Sequence, residues 1–398
     1  MVIVQKINED LHASLLDSFP YDYNNPKHLK VIDLVTVMGS IYVADVTTTS
    51  RKEIRVVIPV FNYDRWTLIE KEVNQLVQWV SGENFVISFI HREHSLFTNI
   101  PNHKLELSTN NPVTLFSGGL DSLTGAYRNY KDNIKSDYLG FINKSEEKTH
   151  QEILKDFYLS IFKGIEITLI HKPVPKKKHL TQATRSLLYF ALAVAKCIFN
   201  NSSDVYLYEN GILSLNPEIN NRFTTKTTHP RTLYMYRSIL EKVELKVTLH
   251  HPFIFKTKGE SIEEMDDAFK NQIKDSFTCG AGRSNLKPHK GQCGVCIPCL
   301  LRKISMAAYN NEAFDSKYFV EYNTKVKEVK DDLHRKELLS NLNYFEKYCE
   351  YISKGTINIE TRIKESFYMD QNYLKENQKM FRKFQEEFER YMKKYDPY

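Results

Sequence analysis

The 398-residue sequence has no apolar stretch long enough to cross a bilayer, and its opening, MVIVQKINEDLHASLL, has no basic region followed by a long apolar one. These absences argue against a helical membrane partner and a secretory signal, and the expectation is a cytoplasmic protein. Charge of one sign is not in excess. Lys and Arg number 55 against 49 Asp and Glu, and a net charge of +6 over this length is too small to argue a nucleic-acid coat by itself, so a nucleic-acid partner stays open. Internal repeats and long low-complexity segments are missing as well. Cysteine is sparse: of six, four fall between Cys279 and Cys299, while Cys197 and Cys349 sit in apolar helical patterns, which points to reduced thiols and away from a disulfide framework.

What is present divides into three parts. Residues 1–110 carry two β-rich runs, VIDLVTVMGSIYVADV and EIRVVIPVF, an amphipathic stretch around WTLIEKEVNQLVQWV and the apolar FVISFI, an expected α+β lobe for docking or support. The polar STNNP at Ser108 to Pro112 reads as a linker. From 111 to 312, short apolar strands (VTLF, YLGFI, ITLIH, VYLYE) alternate with helical patterns beginning near Ser122, His150 and Thr181, which predicts an α/β, doubly wound parallel sheet. From 313 to 398 the expectation is a helical extension, with one apolar stripe at Val329, Leu333, Leu342, Phe345, Cys349 and Ile352, and another at Phe381, Phe384, Phe388, Tyr391 and Tyr395. Packing on the body of the protein accounts for both stripes better than a coiled-coil partner, since neither is long enough to demand a seam.

In LFSGGLDSLTGAY, the residues Ser117, Gly118, Gly119, Leu120, Asp121 and Ser122 lie between an apolar strand and a predicted helix. Two successive glycines let the backbone turn sharply and approach an anion, and the helix turns its free N–H groups and positive dipole end to the same place. Ser117 and Ser122 add hydroxyl donors. Asp121 can cap the helix or help hold Mg²⁺ on phosphates. The string lacks the Gly-Lys-Ser/Thr ending of a Walker loop and the spacing of a dinucleotide fingerprint, which leaves a pyrophosphate-binding turn as the functional expectation and an ordinary capped glycine turn as the bland one.

Cys279, Cys293, Cys296 and Cys299 read C-x13-C-x2-C-x2-C. Four thiolates at this spacing can converge on Zn²⁺, and an all-sulfur shell leaves no position for an activated water, so the metal would be structural. An iron–sulfur cluster is the main alternative and a disulfide pair the bland one. Arg302, on the helix that follows, can face a phosphate or be solvated.

The Ser-Gly-Gly-Leu-Asp-Ser turn and the downstream cysteines together resemble the QueC family, PP-loop (HUP-type) enzymes that make 7-cyano-7-deazaguanine, over residues 112 to 310. Weaker matches are Thr184-Arg185-Ser186, the string HPFIFKTKGE from His251 to Glu260, and Thr278 before Cys279; Ser261 and Glu264 are expected to form a capping box. The resemblance implies ATP, Mg²⁺ and Zn²⁺ as cofactors, cleavage of ATP to AMP and pyrophosphate, and adenylation of a 7-deazaguanine carboxylate before transfer to nitrogen. Asp121, Ser122, Arg185 and Lys258 would be catalytic. The nucleotide would lie on Ser117 to Ser122 with Glu209 and Asn210, which close the fourth strand where ligands sit in open sheets. The segment from Tyr208 to Tyr234, where the family reads its base, differs strongly. The longer plan is similar to QueC-like components of bacterial anti-phage operons, above all the QatC family of the Qat system, which implies operon-encoded protein partners and a protein amine as acceptor. The remaining histidines, His91, His94, His171, His179 and His229, are scattered and read as surface or core-satisfied, and the run Pro175 to His179 as a solvated loop before an anion-steering one.

Overall fold

Asn25 and Pro26 start the first long helix: the Asn25 Oδ1 accepts from the Lys27 N–H at 3.0 Å, and proline takes a first-turn position where no N–H is needed. This helix, α1 (Pro26–Thr47), is buried at every residue from Val31 to Val46. The run expected to be β-rich is therefore helical. A continuous apolar run does not distinguish a buried strand from a buried helix, and here the helix is covered on all sides, so the 3.6-residue rhythm is absent. The computed structural model describes residues 2–3, 18–48, 53–92, 108–142, 145–171, 182–219, 224, 226–280, 286 and 291–398. His94 and the run Pro175 to His179 lie outside these residues, as does the side chain of His171.

Strands β1 (Val2–Ile3), β2 (Ile54–Val60) and β3 (Phe85–His91) form a parallel three-stranded sheet in that order, with α2 (Glu70–Ser81) crossing between β2 and β3. The second sheet contains β4 (Val113–Leu115), β5 (Asp137–Ile142), β6 (Ile167–His171), β7 (Asp204–Tyr206) and β8 (Thr248–His250). Its order is β6-β5-β4-β7-β8 and all pairs are parallel, so the strand order reverses between β4 and β7. In such a sheet the crevice outside the carboxyl ends of the strands at that reversal is the natural place for a ligand. Helices α3 (Leu120–Lys131), α4 (Ser145–Ile161), α5 (Arg185–Phe199) and α6 (Pro230–Lys242) join and cover the strands. Among the described residues no helix is long and apolar enough to cross a membrane.

The two sheets share one core, in which Val35, Ile58 and Trp66 join Phe141, Leu192 and Leu249. Buried polar groups align the layers. Asp45 on α1 accepts from the N–H and hydroxyl of Thr184 at the start of α5, at 3.2 and 2.8 Å, and Trp79 Nε1 donates to Thr232 Oγ1 at 3.0 Å. His229 is core-satisfied: it caps α6 by accepting from the Arg231 N–H and donates from Nε2 to the Thr361 carbonyl at 2.8 Å. His91 is exposed.

A second core unites the cysteine region with α7 (Ile297–Ala308), α8 (Asp332–Ser353) and α9 (Tyr373–Tyr395). The rings of Phe345 and Phe384 meet at 5.6 Å and those of Tyr348 and Phe384 at 5.5 Å, so the C-terminal aromatic stripes pack on each other. Leu333, expected on the buried stripe, is exposed; the buried face of α8 runs through His334, Leu338, Asn341, Leu342, Phe345 and Tyr348.

Candidate functional site

Strand β4 ends at Leu115, and Phe116 to Gly119 carry the chain into α3 at the reversal of strand order. Gly118 has φ +74°, the left-handed region that glycine enters without strain. A Cβ there would stand 2.8 Å from Gln151 Cγ and 3.3 Å from the Gln151 backbone nitrogen. The Gln151 side chain in turn donates to the Phe116 carbonyl at 2.8 Å, so α4 braces the turn from below. Gly119 is the N-cap of α3 and offers no capping side chain, which leaves the first N–H groups of the helix without a partner of its own making. The Ser117 hydroxyl is exposed above them and lies 3.4 Å from Ser122 Oγ. The Ser122 hydroxyl donates to the Gly119 carbonyl at 2.8 Å, so the Ser117 hydroxyl and the N–H groups of the helix are the donors that an anion would meet here. Asp121 is in the first helical turn and not at the N-cap, so of its two expected roles the cap is excluded.

Gly118→Ala is expected to cost about 1–3 kcal/mol from the left-handed backbone and the contact with Gln151. Thermal melting would show a lowered midpoint, and anion affinity at the turn should fall with it. An unchanged midpoint would show that the turn relaxes freely.

Asp121 gathers three residues from distant elements. Lys258 Nζ forms an ion pair with Asp121 Oδ2; its side chain is 0% exposed and that of Asp121 13%. Asn210 Nδ2 donates to Asp121 Oδ1 at 3.2 Å and to Glu209 Oε1 at 3.1 Å. Burial alone would raise the Asp121 carboxyl, but the Lys258 charge and hydrogen bonds from Glu209, Lys258 and Asn210 outweigh it and hold the group below its usual range. Glu209 moves the other way, pushed well up by burial and by the negative charge of Asp121. The two carboxyls are thus driven apart, Asp121 toward the ionised form and Glu209 toward the protonated one.

Lys258 opens the short helix Lys258–Glu263, and its placement depends on the cap before it. Thr257 Oγ1 accepts from the Glu260 N–H and the Glu260 carboxylate accepts from the Thr257 N–H, both at 3.0 Å. The capping box is therefore Thr257 with Glu260; Ser261 lies inside the helix, and Glu264 pairs with Lys256 at 2.5 Å. Both spacings satisfy the S/T-x-x-E pattern, and the turn at Pro252 to Phe255 lets the earlier one start the helix. Thr257 Oγ1 also donates to Glu387 of α9 at 2.5 Å, and Tyr309 OH reaches the same Glu387 oxygen at 3.2 Å. A line of contacts therefore runs from the C-terminal helix to Asp121.

Burial pushes the Glu387 carboxyl up to about 8, with the Thr257 hydrogen bond opposing, the Glu260 charge adding, and Tyr309 and Lys383 opposing. A free glutamate titrates near 4.5. Since the folded value is the higher, the protonated group's contribution is complete below 4.5 and is lost as pH rises to about 8, at ~1.4 kcal/mol per pH unit between. Glu387→Gln is expected to flatten the fall in melting temperature over that window. A profile with the same slope in the variant would assign the fall to other groups.

Arg185 does not join this cluster. It opens α5, forks onto Glu147 at 3.0 and 3.4 Å and donates to the Phe141 carbonyl at 2.7 Å. Arg302, expected to face a phosphate or solvent, does neither: it is 0% exposed, paired with Asp315 at 2.6 Å and bonded to the carbonyls of Ile273 and Ser276. It anchors the segment whose Phe277 N–H donates to the Gly118 carbonyl at 2.9 Å. Sequence reasoning missed Gln151, Phe277 and Glu387. A lone glutamine or phenylalanine has no pattern to reveal it, although a glutamate among the apolar positions of α9 was a signal for burial.

The cysteine group is a candidate metal centre. The Sγ atoms of Cys279, Cys293, Cys296 and Cys299 all lie within 4.8 Å of one another, and Cys293 and Cys299 are 3.8 Å apart. Tetrahedral Zn–S bonds of about 2.3 Å place sulfurs about 3.8 Å apart, whereas a disulfide needs about 2.05 Å. Backbone N–H groups of Gly280, Cys293, Val295 and Cys296 point at the sulfurs at 3.3 to 3.4 Å, as thiolates require. Gly294, at φ +77°, makes the turn between two of them, and a Cβ there would collide with the Val320 carbonyl at 2.1 Å. The four thiols can hold a metal ion such as zinc.

No protein-family model matches the chain, and no curated protein matches it significantly.

Proposed function

We propose that the chain is an ATP-dependent adenylating enzyme of the PP-loop class, with zinc on its four cysteines, acting on the carboxylate of a 7-deazaguanine. The observation that carries this is the Ser117–Ser122 turn at the strand-order reversal, with Lys258 and the Asp121–Glu209 pair beside it. ATP would lay its phosphates on the turn. An oxygen of the substrate carboxylate would attack the α-phosphorus, the bond to the bridging oxygen would break, and pyrophosphate would leave onto Ser117 and the N–H groups of α3. A nitrogen nucleophile would then take the acyl carbon, AMP would depart with the carboxylate oxygen, and the amine's proton would pass to solvent. Lys258, ion-paired with Asp121 beside the turn, would supply the cation for the developing charge. Asp121, as the ionised partner of the pair, would hold Mg²⁺, which supplies charge neutralisation on the phosphates when bound. With every tetrahedral position taken by sulfur, the zinc would be structural.

The resemblance to QueC-like components of anti-phage operons supplies the setting: the acceptor would be ammonia or an amine of a partner protein. An RNA-thiolating ligase would need an ionisable cysteine outside the metal group. Cys197 and Cys349, the remaining two, are both pushed up to about 12 by burial. That disfavours it.

The test is release of AMP and pyrophosphate from ATP by purified protein with and without 7-carboxy-7-deazaguanine, with products weighed by mass spectrometry. Release dependent on the acid is the expected result, and the product mass separates nitrile, amide and protein adduct. ATP binding without release, in the presence of operon partners, would overturn the reading in favour of a nucleotide-binding scaffold.

A further inference from the structure

Between α8 and α9 the chain makes a short helix, Ile357–Glu360, that is pinned to the body of the protein. Ile357 is buried, Thr361 Oγ1 donates to its carbonyl at 2.7 Å, and the Thr361 carbonyl accepts from Nε2 of His229, the cap of α6, at 2.8 Å. Ile359 turns the other way. It is 77% exposed, and among the described residues only Leu68 leaves a larger fraction of a large apolar side chain in water. A well-anchored segment that holds an isoleucine outward points to contact with something else. Ile359 stands on the rim of a cavity of about 410 Å³, lined also by Arg231, Arg362, Ile363, Lys364 and Phe367.

Among the described residues no carboxylate lines this cavity, and the cations beside it outnumber the acids. Arg362 and Lys226 share Glu218, at 3.2 and 2.6 Å. Arg231 has no carboxylate partner among the described residues. Its guanidinium lies over the Trp79 ring of α2 at 4.3 Å from the centroid, with the Lys226 ammonium at 4.5 Å and the Arg362 guanidinium at 5.9 Å. Three cations around one indole with a single carboxylate leave positive charge in excess. Burial and the Arg362 charge both lower the Arg231 pKa. Arg362 is itself held at φ +55°, in the left-handed region where glycine sits without strain and a longer side chain does not. Glycine would serve that backbone better, so arginine contributes here through its side chain.

Guanidinium forks beside outward aliphatic side chains match a polypeptide that carries carboxylates next to an apolar residue. A guanidinium meets a carboxylate with two parallel hydrogen bonds, and an exposed pair such as Arg362 with Glu218 is weak enough to exchange partners. Nucleic acid fits less well: Ile359 and Ile363 offer no face for a base to stack on, and a phosphate backbone calls for a longer row of cations. We infer that the groove between α6 and the segment from Ile357 to Phe367 docks an acidic, apolar segment of a partner protein, its carboxylates on Arg231 and Arg362 and its apolar side chain between Ile359 and Phe367. None of these side chains belongs to the phosphate turn or to the cysteine group, so the inference stands apart from the adenylation reading.

The test is fluorescence anisotropy of the full chain with the labelled peptide Gly-Asp-Glu-Leu-Phe-Asp-Glu-Gly, beside the same peptide with amides in place of its acids, the same peptide with serines in place of Leu-Phe, and a labelled oligo-uridine. The two altered peptides should bind at least ~10-fold more weakly than the first, the scale of one charge-assisted hydrogen bond or one buried apolar side chain, and added salt should weaken the first. Arg362→Gly should weaken it at least ~10-fold while the melting midpoint holds, because glycine relieves the left-handed backbone; a side chain that served stability alone would not separate the two readouts. Ile359→Asp, at an exposed position, should weaken it equally with the fold intact. Peptide affinity unchanged in both variants, or absent from the parent chain, would overturn the inference. Tighter binding of oligo-uridine that Arg362→Gly abolishes would overturn it in favour of a nucleic-acid face, and self-association that Ile359→Asp abolishes, without peptide binding, in favour of contact between copies of the chain.

Discussion

Lys258→Met is expected to lower acid-dependent AMP formation by more than about 100-fold, the loss seen when one preorganised donor to developing charge is removed. The ammonium is fully enclosed and its charge is committed to Asp121, so no water or mobile lysine replaces it. Methionine keeps most of the stem volume, which preserves packing around the Thr257 cap. The variant leaves Asp121 beside Glu209 without a cation, and the Asp121 carboxyl would then rise, since Lys258 is the chief influence holding it down. The pH profile of any residual activity should therefore move to higher pH. Lys258→Arg should not rescue, because a guanidinium needs more width than an enclosed ammonium leaves. Metal content and melting profile of the C-terminal core should stay intact. Near-parental turnover by Lys258→Met would remove this residue from the chemistry.

The second large effect is expected at the cysteines. Cys296→Ser, or a strong chelator, should strip about one metal equivalent and loosen α7, α8 and α9 while α1 and the small sheet remain protected. Three of the sulfurs are buried in the core those helices form, and four thiolates within 4.8 Å of one another repel unless a cation sits between them. Structural zinc supplies about 10 kcal/mol or more in small sites, comparable with the whole stability of a domain. Hydrogen exchange read segment by segment, beside metal analysis, is the measurement. Equal protection with and without chelator would mean that the core stands without metal, and bound iron in place of zinc would assign a cluster.

Much of the larger sheet was legible because short apolar runs between helical patterns have few other solutions: β4, β5, β6 and β7 fall on the strings that predicted them. The Ser117–Ser122 turn and the cysteine spacing were legible for a related reason, since local backbone geometry is written in neighbouring residues. The helix α1 was not. Its signal sat in Asn25 and Pro26, just outside a run whose β-branched residues argued for strands, and burial on every side erased the period. The capping box was displaced by four residues because two overlapping patterns competed and only the path of the chain chose between them. Arg302 was open to two exposed roles, and a buried partner thirteen residues later decided against both.

The sequence by itself determined the strand-turn-helix that can accept an anion, and four thiols that can meet at one point, because in both the residues that must cooperate are close along the chain. Only the tertiary structure decided that Lys258 pairs with Asp121 across 137 positions, that Glu209 shares their charge, and that Glu387 braces the cap from the last helix. Those are long-range contacts made by single polar residues with no period and no motif. Their energies come from burial, which exists only once the sheets and helices have closed around them.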